Sequence, residues 1–193
     1  MKRIILKVML LAFLCISILS CKKDDSGPSF QEENFLDGYL TTTGFNQKVI
    51  SFVNSGTYEF GLEFTPLVKG SITSLRVKLP DTNPSLRITI WDKVAVAIIK
   101  TEIFNVVAAN TVYDIDIVDL PLVKDREYAI TMSSNDWYNR EKTDGSNTTY
   151  PVSIGNIKIN KYIYSDGATQ VYPLSVGVRY YAGDLSFNFL QQQ

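Results

Sequence analysis

Six consecutive residues, Asn135-Asp136-Trp137-Tyr138-Asn139-Arg140, set two flat aromatic rings among four planar polar side chains. This is the equipment that grips a polyhydroxylated ring. Aromatic faces lie under its C–H groups at low entropic cost, and amides, a carboxylate and a guanidinium hydrogen-bond its hydroxyls. The run sits in a long polar stretch, Ser133 to Thr149, whose composition reads as a loop. Long loops on rigid scaffolds often carry function. Trp91 is a further candidate for the same surface, because strand alternation points it away from Leu86, Ile88 and Ile90. Packing is the plainer alternative for both tryptophans: Trp137 folded back over the end of the domain, Trp91 in the core.

Two other arrangements carry weaker chemistry. Asp144-Gly145-Ser146-Asn147 supplies oxygen ligands around a glycine, so Asp144 and Asn147 are candidate calcium ligands. The regular spacing of acids that a calcium loop uses is missing, and a turn explains the run as well. Asp114 and Asp116 share one strand face about 6.6–7 Å apart along the strand, a spacing compatible with paired-carboxylate glycoside hydrolysis. Alternating acids on a wet strand face are also ordinary solubilising residues. The expectation is therefore binding without catalysis.

Composition excludes more than it suggests. The chain of 193 residues has no histidine, which removes the commonest general base and metal ligand. Its two cysteines, Cys15 and Cys21, both lie near the N-terminus, so the rest of the chain holds no disulfide, thiolate zinc site or cysteine nucleophile. The formal charge of −1 becomes −4 once residues 1–20, with Lys2, Arg3 and Lys7 and no acid, are set aside. Nucleic acid wants a basic face, and this balance is acidic.

The N-terminus gives an address. Lys2, Arg3 and Lys7 precede a nearly apolar run, Val8 to Leu19, then Ser20 and Cys21. This is the three-part pattern of a secretory signal, too short for a comfortable transmembrane span, which needs about 20 residues. The small residue before Cys21 resembles the lipobox of bacterial lipoproteins. The resemblance implies cleavage of a signal helix, residues 1–20, and diacylglycerol on the Cys21 thiol, anchoring the chain through two or three acyl chains. Lys22-Lys23-Asp24-Asp25-Ser26-Gly27-Pro28 resembles the charged stretch after the lipid cysteine in surface-exposed lipoproteins of the Bacteroidota. It implies an outer-membrane protein facing the exterior on a solvated tether, residues 21–34.

The elements that must position the candidates are strands. In Thr73 to Leu79, apolar Leu75, Val77 and Leu79 alternate with Ser74, Arg76 and Lys78. Leu86, Ile88 and Ile90 repeat the pattern, as do Tyr113, Ile115 and Ile117, and Tyr128, Ile130 and Met132. Further strands fall near Lys48–Val53, Tyr58–Phe64, Val96–Phe104, Asn156–Tyr164, Val176–Tyr181 and Leu185–Leu190. No segment shows convincing helical periodicity. Many short strands between turn signals predict an all-β domain over residues 35–193: a single antiparallel β-sandwich, jelly-roll or immunoglobulin-like.

Over about residues 51–189 the chain also resembles an uncharacterised family of bacterial extracellular domains. The matching features are Gly61-Leu62-Glu63-Phe64-Thr65, then Gly70-Ser71-Ile72 with Leu75-Arg76, then Trp91-Asp92, Tyr172-Pro173 and Tyr181 to Phe187. The resemblance implies a β-sandwich and no established active site. This chain departs from it after Trp91-Asp92, where Lys93-Val94-Ala95 lacks the family's glycine. The expected function is a lipid-anchored, non-catalytic ligand-binding module, with glycan as the expected ligand. The alternative is a structural or adhesive envelope protein with a protein partner, and a glycosidase comes third. The expected partners are the membrane and a glycan or surface protein, with no cofactor beyond a possible calcium ion.

Overall fold

A computed structural model describes residues 30–193; the expected signal segment and Cys21 lie outside the described residues. In chain order the elements are β1 (Glu33–Asn34), helix α1 (Leu36–Thr43), β2 (Lys48–Phe52), β3 (Tyr58–Pro66), β4 (Gly70–Lys78), β5 (Asn83–Asp92) and β6 (Ala97–Val106). There follow β7 (Val112–Leu122), β8 (Tyr128–Ser134), β9 (Trp137–Glu141), β10 (Val152–Ile154), β11 (Ile157–Asp166), β12 (Ser175–Gly177), β13 (Tyr180–Ala182) and β14 (Leu185–Gln191).

Three antiparallel sheets result. One has the order β1-β14-β4-β7. A second runs β10-β11-β3-β8-β5-β6, with β12 also paired to β11. A third is β13-β9-β2. The first two form a sandwich. Ile72, Leu75 and Val77 of β4 and Phe187 and Phe189 of β14 share one core with Phe60, Phe64, Ile88, Ile90 and Met132 of the second sheet. The Phe64 and Phe187 rings meet across it at 4.7 Å. Between β3 and β8 the chain repeatedly changes sheets. The order β1-β14-β4-β7 facing β3-β8-β5-β6 is that of a jelly roll, which settles the choice that strand prediction alone left open. The third sheet is built from the β9 region, β13 and β2, and caps one end. Every member of the main core falls between Phe35 and Phe189, so the described residues fold as one unit.

The structure departs from the sequence expectations at four places. Glu33 and Asn34, the last residues of the expected tether, pair with Phe189 and Asn188. The Asn34 side-chain amide reaches Ser186 Oγ, Phe187 O and Asn188 Oδ1 at 3.0–3.1 Å. Leu36–Thr43 is a helix, burying Tyr39, Leu40 and Thr43 and ending on left-handed Gly44. The expected loop Ser133–Thr149 contains a strand, β9. The expected strand Val176–Tyr181 is split into β12 and β13.

The turn joining β5 to β6 closes without glycine. Val96 takes the left-handed conformation there, with φ 49°. A β-branched residue is strained in that region by about 1–2 kcal/mol. Val96 is 64% exposed and only edges a surface hollow beside Tyr172 and Leu174, so little packing is at stake. Val96→Asn is expected to stabilise the protein by about 1 kcal/mol, raising Tm by about 2–4 °C. An unchanged or lowered melting temperature would show that the turn is not strained.

Candidate functional site

Where the third sheet approaches the sandwich, several strands present every second side chain to one cleft. Tyr58 and Phe60 come from β3, Trp137, Asn139 and Glu141 from β9, and Tyr162, Tyr164 and Asp166 from β11. Tyr180 and Ala182 come from β13, and Phe52 from β2. The pleat sends residues i, i+2 and i+4 to one side, so this convergence follows from strand geometry. Antiparallel register completes it: Phe52 is opposite Trp137, Tyr180 opposite Glu141, and Tyr164 opposite Phe60. The cleft encloses about 540 Å³, within the range of small-molecule sites.

Rings line most of it. Phe52 stacks on Trp137 with centroids 5.3 Å apart and planes 11° from parallel. Tyr58 and Phe60 meet the same indole edge-on. Opposite, Tyr162 stacks on Tyr164, and Tyr180 closes on both at 5.5 and 6.2 Å. Phe60 and Tyr162 are buried and form the floor. Trp137, Tyr58, Tyr164 and Tyr180 remain half-buried, with part of each ring available to a ligand.

The polar groups are few and oriented. Asn139 donates through Nδ2 to Glu141 Oε1 at 2.6 Å, and the other Glu141 oxygen pairs with Lys48 Nζ at 2.9 Å. Asp166 is exposed at the rim. Burial, and then a hydrogen bond with Tyr164, pushes the Tyr180 hydroxyl up to about 12. The Tyr180 hydroxyl is therefore a neutral donor and acceptor at ordinary pH.

The expected cluster of six is divided. In a strand, neighbours face opposite ways, so Trp137 and Asn139 reach the cleft while Tyr138 and Arg140 point to the other side. Tyr138 is buried, its hydroxyl bonded to Asn110 and the Lys78 ammonium 5.4 Å above its ring. The Arg140 guanidinium is clasped to the buried Asp184 carboxylate, with Nη2 to Oδ2 at 2.6 Å. Asp136 is buried and accepts the Asn54 N–H at 2.7 Å, while the Asn135 amide donates to Asn54 Oδ1 at 3.0 Å. Those two residues hold the β2–β3 connection and do not face the cleft.

Trp91 does point away from the main core, as alternation required, but that side is covered too. Residues 167–174 lie across it, with Tyr172 edge-on to Trp91 at 5.6 Å and Gln170 bonded to Thr89 and Thr101. Trp91 is 3% exposed and its indole N–H donates to Thr131 Oγ1 at 2.9 Å. It belongs to a second small core with Ala129 and Ile163, and it is not a surface for ligand.

The calcium candidates are already engaged. Asp144 Oδ1 accepts the Ser146 N–H at 2.9 Å; that bond holds the Asp144 carboxyl below the usual carboxylate range. Asn147 offers its carbonyl to Lys142 Nζ at 2.8 Å and its side-chain oxygen to Arg179 at 3.3 Å. Two cationic side chains thus sit on the oxygens a cation would need. Asp114 is bridged by Arg76 on an open strand face, with contacts of 2.7 and 2.8 Å, and this depresses its carboxyl. A general acid for glycoside hydrolysis needs the opposite shift.

Comparison with protein-family models, curated proteins and solved structures finds no match to this chain.

Proposed function

We propose that this chain is a lipid-anchored surface protein that binds glycan, without catalysis, in the aromatic cleft around Trp137. The observation that carries the reading is the pairing of half-open rings from four strands with planar polar groups, Asn139, Glu141 and Asp166, in one cleft. Sugar rings expose alternating C–H faces and hydroxyl edges, which suit such a mixture. Anchoring through Cys21 on the outer membrane, facing the exterior, would put the cleft before extracellular polysaccharide. Neither a cofactor nor nucleic acid enters this reading.

The test is a broad glycan array probed with residues 22–193. Binding is expected to fall about 30-fold or more in Trp137→Ala, the loss typical of an aromatic anchor. Trp137 also packs on Phe60, so Asp166→Ala, at the exposed rim of the cleft, serves as the second variant, expected to weaken binding while leaving the melting temperature nearly unchanged. Full binding by both folded variants, or no glycan bound by the folded parent, would overturn the proposal.

A further inference from the structure

The seven-stranded sheet ends on β6, which pairs with β5 alone, so about half of its backbone N–H and C=O groups face outward along ten residues. Other sheet ends among the described residues are guarded. β1, β10, β12 and β13 are two or three residues long, β2 has only five residues and opens on the charged Lys48, and β7 carries Asp114, Asp116, Asp119 and Pro121 along its length. Short strands, charge and proline are the usual defences of an edge. β6 is longer, has no proline, and leaves Ile98, Ile99 and Ile103 46%, 39% and 65% exposed; its defences are a one-residue bulge against β5 at Ile99 and the charges of Lys100 and Glu102, which a partner of matching charge would neutralise.

The sequence of β6 is self-complementary. Around Thr101 it reads Ile99-Lys100-Thr101-Glu102-Ile103. Suppose a second copy pairs antiparallel across a two-fold axis through Thr101, perpendicular to the sheet. Lys100 then faces Glu102 of the second copy, and Ile99 faces Ile103, each pair twice. The axis keeps each sheet face on its own side, so only registers pairing residues of equal parity are allowed. The nearest such slips place Lys100 against Lys100 or Glu102 against Glu102, and like charges directly opposed are destabilising. Pairing with β5 already fixes the faces: Lys100 and Glu102 lie on the side of Ile90 and Ile88, while Thr101 and Ile103 lie on the side of Thr89 and Arg87. Within one chain Lys100 and Glu102 contact each other at 2.9 Å, so both charges are already held beside the axis.

We propose that the chain forms a two-fold homodimer by pairing β6 with β6 in this register, joining two seven-stranded sheets into one. A two-fold interface uses one patch on both copies, which is what this near-palindrome provides. The surface lies outside the aromatic cleft and stands independently of the glycan reading.

Sedimentation of residues 22–193, which keep every strand of the fold, should show a concentration-dependent dimer. Lys100→Glu and Glu102→Lys should each raise its dissociation constant about tenfold or more, by opposing like charges twice, and the double exchange should restore it. A cysteine probe reads the register. These residues hold no cysteine, so Thr101→Cys, at the axis, should couple into a covalent dimer under mild oxidation, because directly opposed strand residues meet disulfide geometry. Ile103→Cys, which faces Ile99, should not. A monomer at every concentration, failure of the double exchange to restore association, or equal coupling of both cysteine variants would overturn the proposal.

Discussion

Gly61→Ala is expected to leave little or no folded protein. A Cβ at position 61 would lie 1.9 Å from the carbonyl oxygen of Ile130 and 2.7 Å from the Thr131 Cα. Those atoms are backbone of β8, paired on both sides in the middle of the seven-stranded sheet, and cannot swing aside as a flexible side chain would. Overpacking even of adjustable cores costs about 1–3 kcal/mol. Here the loss should reach at least about 3 kcal/mol, a large part of the roughly 5–15 kcal/mol that stabilises a typical domain. Urea unfolding of soluble protein measures it, with Gly167→Ala as the comparison. Gly167 has open space around it and only a left-handed φ of 95° to lose, so its substitution should cost about 1–2 kcal/mol. Equal, small losses at both positions would show that the β3–β8 contact is looser than described. Gly70 is constrained in the same way, with Phe189 and the Leu190 carbonyl within 2.5 Å of the missing Cβ.

Raising the pH through 10 to 12 should unfold the protein cooperatively. Of eleven tyrosines, several are held neutral by the fold. Burial, with smaller contributions from Tyr150 and its hydrogen bond, lifts Tyr39 well above 10. Burial lifts Tyr162 and Tyr181 likewise. Tyr150, bonded to Tyr39 through paired hydroxyls at 2.6 Å, is pushed by burial up to about 12, as is Tyr180. In the unfolded chain these phenols ionise near 10. The sign is therefore fixed: the stabilisation is complete below pH 10 and is lost as the pH climbs through the folded values, because the unfolded state releases protons that the native state retains. For Tyr150 alone the loss approaches about 2–3 kcal/mol above pH 12. Tyrosinate absorbance should stay low for the buried set and then rise together with loss of the sheet signal in circular dichroism. Smooth ionisation near pH 10 with the sheet signal intact would contradict this. Between pH 5 and 8, with no histidine in the chain, stability should vary little.

Much of the fold was legible because alternation is a local signal. Leu75 with Val77, Leu86 with Ile88 and Ile90, and Tyr128 with Ile130 each declared a strand and its inner face. Helix α1 carries a pattern of its own, Leu36, Tyr39, Leu40 and Thr43 at helical spacing. Gly38 and three threonines are poor helix formers, and they masked it. The cleft was half legible. Trp137 was found, but reading Ser133–Thr149 as a loop grouped it with Tyr138 and Arg140, which a strand sends the other way. Tyr162 with Tyr164, and Tyr58 with Phe60, show the period of two in sequence. Their meeting with β9 depends on β9 lying between β2 and β13, a long-range pairing that no local pattern carries. The burial of Trp91 was hidden for the same reason, since the cover comes from Gln170 and Tyr172, about eighty residues away.

The grip of Asn34 on β14 has a mechanical consequence. A pull on the N-terminus enters the folded domain at a two-residue strand, too short to share the load along a ladder. The Asn34 side-chain amide shares it, spreading tension over Ser186, Phe187 and Asn188, while the Glu32 carboxylate accepts from Thr73 and the Glu33 carboxylate from the Asn156 N–H. β14 is paired on its other side to β4 and feeds Phe187 and Phe189 into the core, so the load passes to the most deeply packed part of the sandwich. The cleft, built on β9, β11 and β13, lies off that path. A pull on that side therefore loads the sandwich core and leaves the walls of the cleft unstrained.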